Sequence, residues 1–164
     1  YEEDGLGLCF GDISTGDLTA DQVLAPNSET LLHILEDRLA RYSPSEILLN
    51  PQALDLTGLA DFIREKLHAA VECQESALYQ DLGQCQARVS RQFGGQSLAQ
   101  LELSDKPLAV KALSALFDYL SRTQITGLER MNEVDIGTDA GVMGLDINAR
   151  RNLELTETLE RTVR

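Results

Sequence analysis

Apolar positions along the chain alternate first with a period near two and later with a period near 3.6. Gly5–Asp12 alternates loosely around Leu6, Leu8 and Phe10, meets Ser14-Thr15-Gly16, and resumes through Asp17–Leu24 with Leu18, Ala20 and Val23. This pattern predicts a hairpin of two short strands joined by a Gly-containing turn. Leu31, Leu32, Leu35 and Leu39 then fall at helical spacing behind Asn27 or Ser28, and Pro44 closes that helix. Glu46–Leu49 (EILL) is a short continuous apolar run between Pro44 and Asn50-Pro51, the signature of a strand covered on both faces.

A second helix is predicted from about Thr57 to Leu67, with Leu59, Phe62, Ile63 and Leu67 on its inner face, and a weak strand over Ala69–Cys73. A more polar helix, Ser76–Phe93, ends at Gly94-Gly95. The order ββαβαβα is an α/β layout with the hairpin at one edge.

From Lys106 the pattern changes. Leu108, Val110, Leu113, Leu116, Phe117 and Leu120 form a broad helical stripe, with Pro107 in the first turn, where its missing N–H is harmless. Gly127 breaks the stripe, and 131–141 reads as a connecting segment with little strand content. The shift near 105 is taken as a domain boundary, giving 1–105 as an α/β domain and 106–164 as the start of an all-α one. A helix cut from its later partners leaves the Leu108–Leu120 stripe partly unsatisfied, so self-association through it is expected. Near the end, Asp146 can cap a helix on which Leu145, Ala149 and Leu153 recur at i, i+4, i+8. Glu157 and Arg161 have the favourable acidic-then-basic order there.

The charge narrows the function classes. Lys and Arg number 14 against 27 Asp and Glu, for a formal net charge of −13. Residues 1–107 hold 18 acidic and 7 basic side chains, and 108–164 hold 9 and 7. A surface that grips phosphates needs clustered cations, so direct nucleic-acid binding by the first part is disfavoured. Cys9, Cys73 and Cys85 are odd in number and widely spaced, and His33 and His68 stand alone. That argues for a reducing compartment and against a disulfide framework or a zinc site. No apolar run approaches a membrane span. The chain opens on Tyr1 without a charged and then apolar leader, as an excised segment would.

Three stretches carry a resemblance. Met143–Glu160 (MGLDINARRNLELTETLE), an acidic cap before a run of the form AxRRNLELTxxL, resembles the start of the core, or lever, region of the MutS family of DNA mismatch-repair proteins. Ala115–Leu128 (ALFDYLSRTQITGL) resembles the helix before it, and Gly7–Gly16 (GLCFGDISTG) the first strand of the family's connector domain. The resemblance implies a fragment of such a protein: a ribonuclease H-like connector with a mixed sheet, then the first helices of an α-helical core. It also implies mechanical rather than catalytic work, relaying motion between mismatch-reading and ATPase ends and docking MutL. ATP and magnesium, mismatched duplex DNA, homodimerisation and a cytoplasmic location would belong to the parent protein.

The parent's chemical motifs do not occur here. There is no G-x-x-x-x-G-K-[ST], and no Lys follows any Gly. The mismatch-reading Phe-x-Glu is missing too, because Phe10, Phe62, Phe93 and Phe117 lead to Asp12, Arg64, Gly95 and Tyr119. The alternative is a ribonuclease H-like nuclease in which Asp12 gathers Glu36, Asp37 or Glu46 around metal, since two-metal hydrolysis needs converging carboxylates. Against it stands a turn-forming Asp before Ser-Thr-Gly. A generic helical interaction module is a third reading. For partner binding, Gln80, Gln84, Arg88 and Arg91 fall on one stripe of the Ser76–Phe93 helix. An ordinary solvated face is the competing reading of that stripe. Arg150 and Arg151 are expected at interdomain contacts.

Overall fold

A computed structural model describes residues 1–2, 5–123 and 126–137. The chain runs β1 (Gly5–Gly11), β2 (Leu18–Leu24), α1 (Ser28–Tyr42), β3 (Glu46–Leu49) and a 3-10 turn (Pro51–Asp55). A short α2 (Leu59–Phe62) continues through a π turn (Ile63–Leu67) into β4 (Ala70–Cys73). Then come α3 (Ala77–Gln80), α4 (Leu82–Gln92), α5 (Pro107–Arg122), a 3-10 turn (Leu128–Arg130) and β5 (Asp135–Ile136). The expected hairpin is present, with Gly5 opposite Leu24 and Gly11 opposite Leu18. β5, in a segment expected to have little strand content, pairs in parallel with Thr19 and Ala20 of β2. A second, two-stranded parallel sheet aligns Glu46–Leu49 of β3 with Ala70–Cys73 of β4. No helix among the described residues is long and apolar enough to cross a membrane.

Strand alternation builds three layers. Leu6, Leu8 and Phe10 of β1, with Ile47 and Leu49 of β3, join Leu31, Leu35 and Leu39 of α1. Cys9 and Leu48 join the opposite cluster, with Val89 of α4 and Leu113, Leu116 and Leu120 of α5. Ile47–Leu49 is continuously apolar because both faces of β3 are covered. Asn27 starts α1 by accepting the Thr30 N–H at 2.8 Å. Ser43, in the left-handed region at φ 47°, ends the helix by donating to Leu39 O. Phe10 then stacks on Tyr42 with ring centroids 3.9 Å apart.

The expectation of a partly unsatisfied Leu108–Leu120 stripe is corrected by the packing of α5. This helix buries Ala109, Val110, Leu113, Ser114, Ala115, Leu116, Phe117 and Leu120, a face too wide for one partner. One side lies on β1 and β2, and the other meets α4. The stripe is therefore wide because it has two partners within the same α/β body, and it is not an unsatisfied surface awaiting later helices. Two polar side chains, the buried Gln22 and the half-buried Tyr119, lock the helix in place. The Gln22 Oε1 accepts the Leu108 N–H at 2.7 Å, capping the first turn of α5. Tyr119 on the last turns donates its hydroxyl to Glu46 of β3.

A further correction concerns the Ser76–Phe93 helix. It breaks at Asp81, whose extended backbone (φ −102°, ψ 97°) separates α3 from α4 and whose carboxylate accepts the Gln84 N–H at 3.1 Å. Asp81 competes with helix continuation by capping the next helix itself.

Candidate functional site

Of the four residues expected on one stripe, the break at Asp81 sets Gln80 on α3, apart from the other three on α4. Gln80, Gln84 and Arg91 are exposed. Arg88 is half-buried and donates from Nη1 to the Ser114 hydroxyl at 2.6 Å, inside α5. Its first role is therefore to pin α4 on α5, at a hydroxyl with no solvent access.

What remains is a shallow groove of about 220 Å³ where the outer sides of α4 and α5 meet. Arg88, Arg91 and Gln92 form one wall, Phe117, Asp118 and Ser121 the other, and Leu128 the end. Gln92 closes that end by donating from Nε2 to Leu128 O at 2.8 Å and Met131 O at 3.0 Å. Arg122 pairs with Asp118 at 2.7 Å, which leaves Arg91 as the cation on the groove rim facing solvent. The groove can hold a carboxylate or carbonyl against Arg91, next to an apolar floor.

Asp12 is fully buried at the end of β1. Its Oδ1 accepts the Ser14 N–H at 2.8 Å and the Ser14 hydroxyl at 2.6 Å, and its backbone exchanges bonds with Asp17 and Gly16. These are the bonds of a turn-forming aspartate. Its Oδ2 has no hydrogen-bond partner among the described residues. Two of the three expected companions are engaged elsewhere: Asp37 pairs with Arg41 at 2.9 Å, and Glu46 holds the Tyr119 hydroxyl. That bond, helped by burial, pushes the Tyr119 hydroxyl up to about 12. Among the described residues, no three His, Cys, Asp or Glu side chains converge as metal ligands.

The thiols of Cys9 and Cys85 are buried, donating to Ala112 O at 3.4 Å and Leu78 O at 3.3 Å, whereas Cys73 is exposed on β4. Tyr79 donates to the buried Gln74 Oε1 at 2.5 Å, and burial raises its hydroxyl well above the ordinary tyrosine range. Arg150, Arg151 and the capped helix expected around them lie outside the described residues.

Fold and site together define a small mixed α/β domain whose polar buried residues serve turns and helix docking, with one cationic groove on its helical face. A family model described as MutS domain II matches residues 1–133, spanning the position at 105 where a boundary was expected. The chain belongs to the MutS family. It is 32% identical over 157 residues to the DNA mismatch repair protein MutS of Caldanaerobacter subterraneus subsp. tengcongensis, covering 96% of this chain and 17% of that protein. The MutS of Alkaliphilus metalliredigens is 33% identical over 94% of this chain and 17% of its own length. The MutS 1 of Haloarcula marismortui is 27% identical over 96% of this chain and 16% of its own length. The chain thus spans about a sixth of the curated relatives it matches.

Proposed function

We propose that this chain is the connector of a longer mismatch-repair protein, ribonuclease H-like in arrangement, extending through α5 to about residue 133 and leading into the lever. Its work is mechanical: it joins mismatch-reading and ATPase parts and carries conformational change between them, with no hydrolytic step of its own. ATP and magnesium, mismatched duplex DNA, a homodimeric assembly and a cytoplasmic setting belong to the parent. Arg150 and Arg151 would serve as contacts between its domains.

The observation that carries this reading is the grip on α5, held by β1 on one side and by α4, through Arg88 and Ser114, on the other. A helix fixed on both sides transmits displacement, because packed interiors resist deformation. The outer side of the same pair, from Gln84 to Arg91, supports docking of MutL at the groove rim.

The test is an NMR titration of the labelled chain with the ATPase domain of its own MutL. Shifts centred on Gln84, Arg91 and Ser121, lost in Arg91→Glu, are the expected result. Arg91 is the informative position, since Arg88 also holds α4 in place. No shifts at saturating partner would remove docking and leave the connector as a lever alone.

A further inference from the structure

The two-stranded sheet ends at β4, whose outer edge is open among the described residues. Ala70 donates its N–H to Ser45 O and Gln74 donates to Leu49 O, so the even-numbered residues of β4 turn their backbone groups toward β3. Val71 and Cys73 therefore turn theirs outward, and no strand among the described residues pairs with them. All four residues of β4 are exposed, Val71 by 47%.

The two faces beside this edge differ in charge. Glu72 aligns with Leu48, which faces α5, and Ala70 aligns with Glu46, which holds Tyr119 of α5. On that face Glu72 stands with Glu46, and Arg122 of α5, paired with Asp118, has its pKa raised first by that bond and further by Glu72 and Glu75. On the opposite face Val71 aligns with Ile47, and Cys73 with Leu49, beside the α1 cluster. The edge thus offers two outward backbone rungs, an acidic lip on one side and an apolar lip on the other. A second copy of this chain would bring Glu72 and Glu75 against the same acids, which disfavours self-pairing.

We infer that the edge of β4 accepts an extended peptide segment of a partner protein as an added strand, with basic side chains facing Glu72 and Glu75 and apolar ones beside Val71. Backbone rungs would hold such a strand, and the alternating side chains would select it.

The experiment is amide hydrogen exchange on the full chain, read by NMR, with and without an acetylated and amidated Lys-Val-Lys-Val-Lys-Val peptide. Val71 and Cys73 should exchange slowly only with peptide present, and Glu72→Lys should weaken the effect about tenfold. The same peptide N-methylated at alternate residues should give no protection, a control that leaves the protein unaltered. The inference is overturned if the two amides stay unprotected at millimolar peptide. It is equally overturned if they are protected before peptide is added, or if a Glu-Val peptide of the same length protects them as well.

Discussion

Gly7 of β1 lies directly beneath Leu108 of α5: a Cβ added at Gly7 would sit 2.0 Å from the Leu108 carbonyl oxygen. Backbone meets backbone there, across some hundred residues of chain, and the helix reaches the strand because position 7 carries no side chain. Gly7→Ala should therefore lift α5 off β1 and destabilise the domain by about 1–3 kcal/mol or more, as overpacking does. Urea denaturation checks this, and an unchanged midpoint would contradict the contact.

Leu113 and Leu116 are almost completely buried between the sheet and α4. Truncating either to Ala should lower stability by about 2–5 kcal/mol. Leu54→Ala, at a side chain 53% exposed, should fall within about 0.5 kcal/mol of the parent. Because the stripe is buried, sedimentation should show no dimer formed through it.

Arg38 of α1 reaches the buried Asp21 of β2, and the pair is nearly closed to solvent. Arg38→Met leaves that carboxylate without its cation and should cost about 3–5 kcal/mol. Thermal melts of Arg38→Met and of the double variant Arg38→Met/Asp21→Leu separate the effects. The double variant should recover much of the loss.

Tyr119 has its hydroxyl raised to about 12, above the usual value near 10, first by its bond to Glu46. The protonated form is favoured in the folded state. The stabilisation is therefore complete below about pH 10 and is lost as pH rises through about 12. Ultraviolet titration should lose one late-ionising tyrosine in Tyr119→Phe. An unchanged curve would place that hydroxyl in water.

Arg88 and Arg91 should separate structure from docking. Arg88→Ala removes a charged bond to a buried hydroxyl and should cost about 1.5–3 kcal/mol. Arg91→Glu should leave stability within about 0.5 kcal/mol, since its side chain is exposed. Chemical denaturation of the two variants decides this.

Hairpin, α1, β3 and β4 were all legible in the sequence, because alternation, capping residues and Pro44 act locally. The grip on α5 was not. Width of an apolar face tells how much is buried and not by what, so a helix with two partners in its own domain looks the same as one missing a neighbour. Asp81 was hidden for a related reason: an Asp inside a helical pattern signals a cap only when the chain turns there. Asp21 and Gln22 are polar residues within a strand whose roles no local pattern shows, because their partners, Arg38 and the Leu108 N–H, lie 17 and 86 residues away. Arg88 was legible as a candidate but its bond to Ser114 was not, since nothing local pairs it with a residue 26 positions on.

The most direct test of the account is native-state hydrogen exchange comparing the amides of Leu113, Leu116 and Leu120 with those of Leu8 and Phe10. If α5 belongs to the connector's core, both sets exchange only through the same global opening, with equal free energies and equal denaturant dependence. Exchange of the α5 amides at a clearly lower free energy, with β1 still protected, would show a helix that opens on its own. The connector would then be a strand-centred body with a loosely attached arm, unfit to carry displacement as proposed.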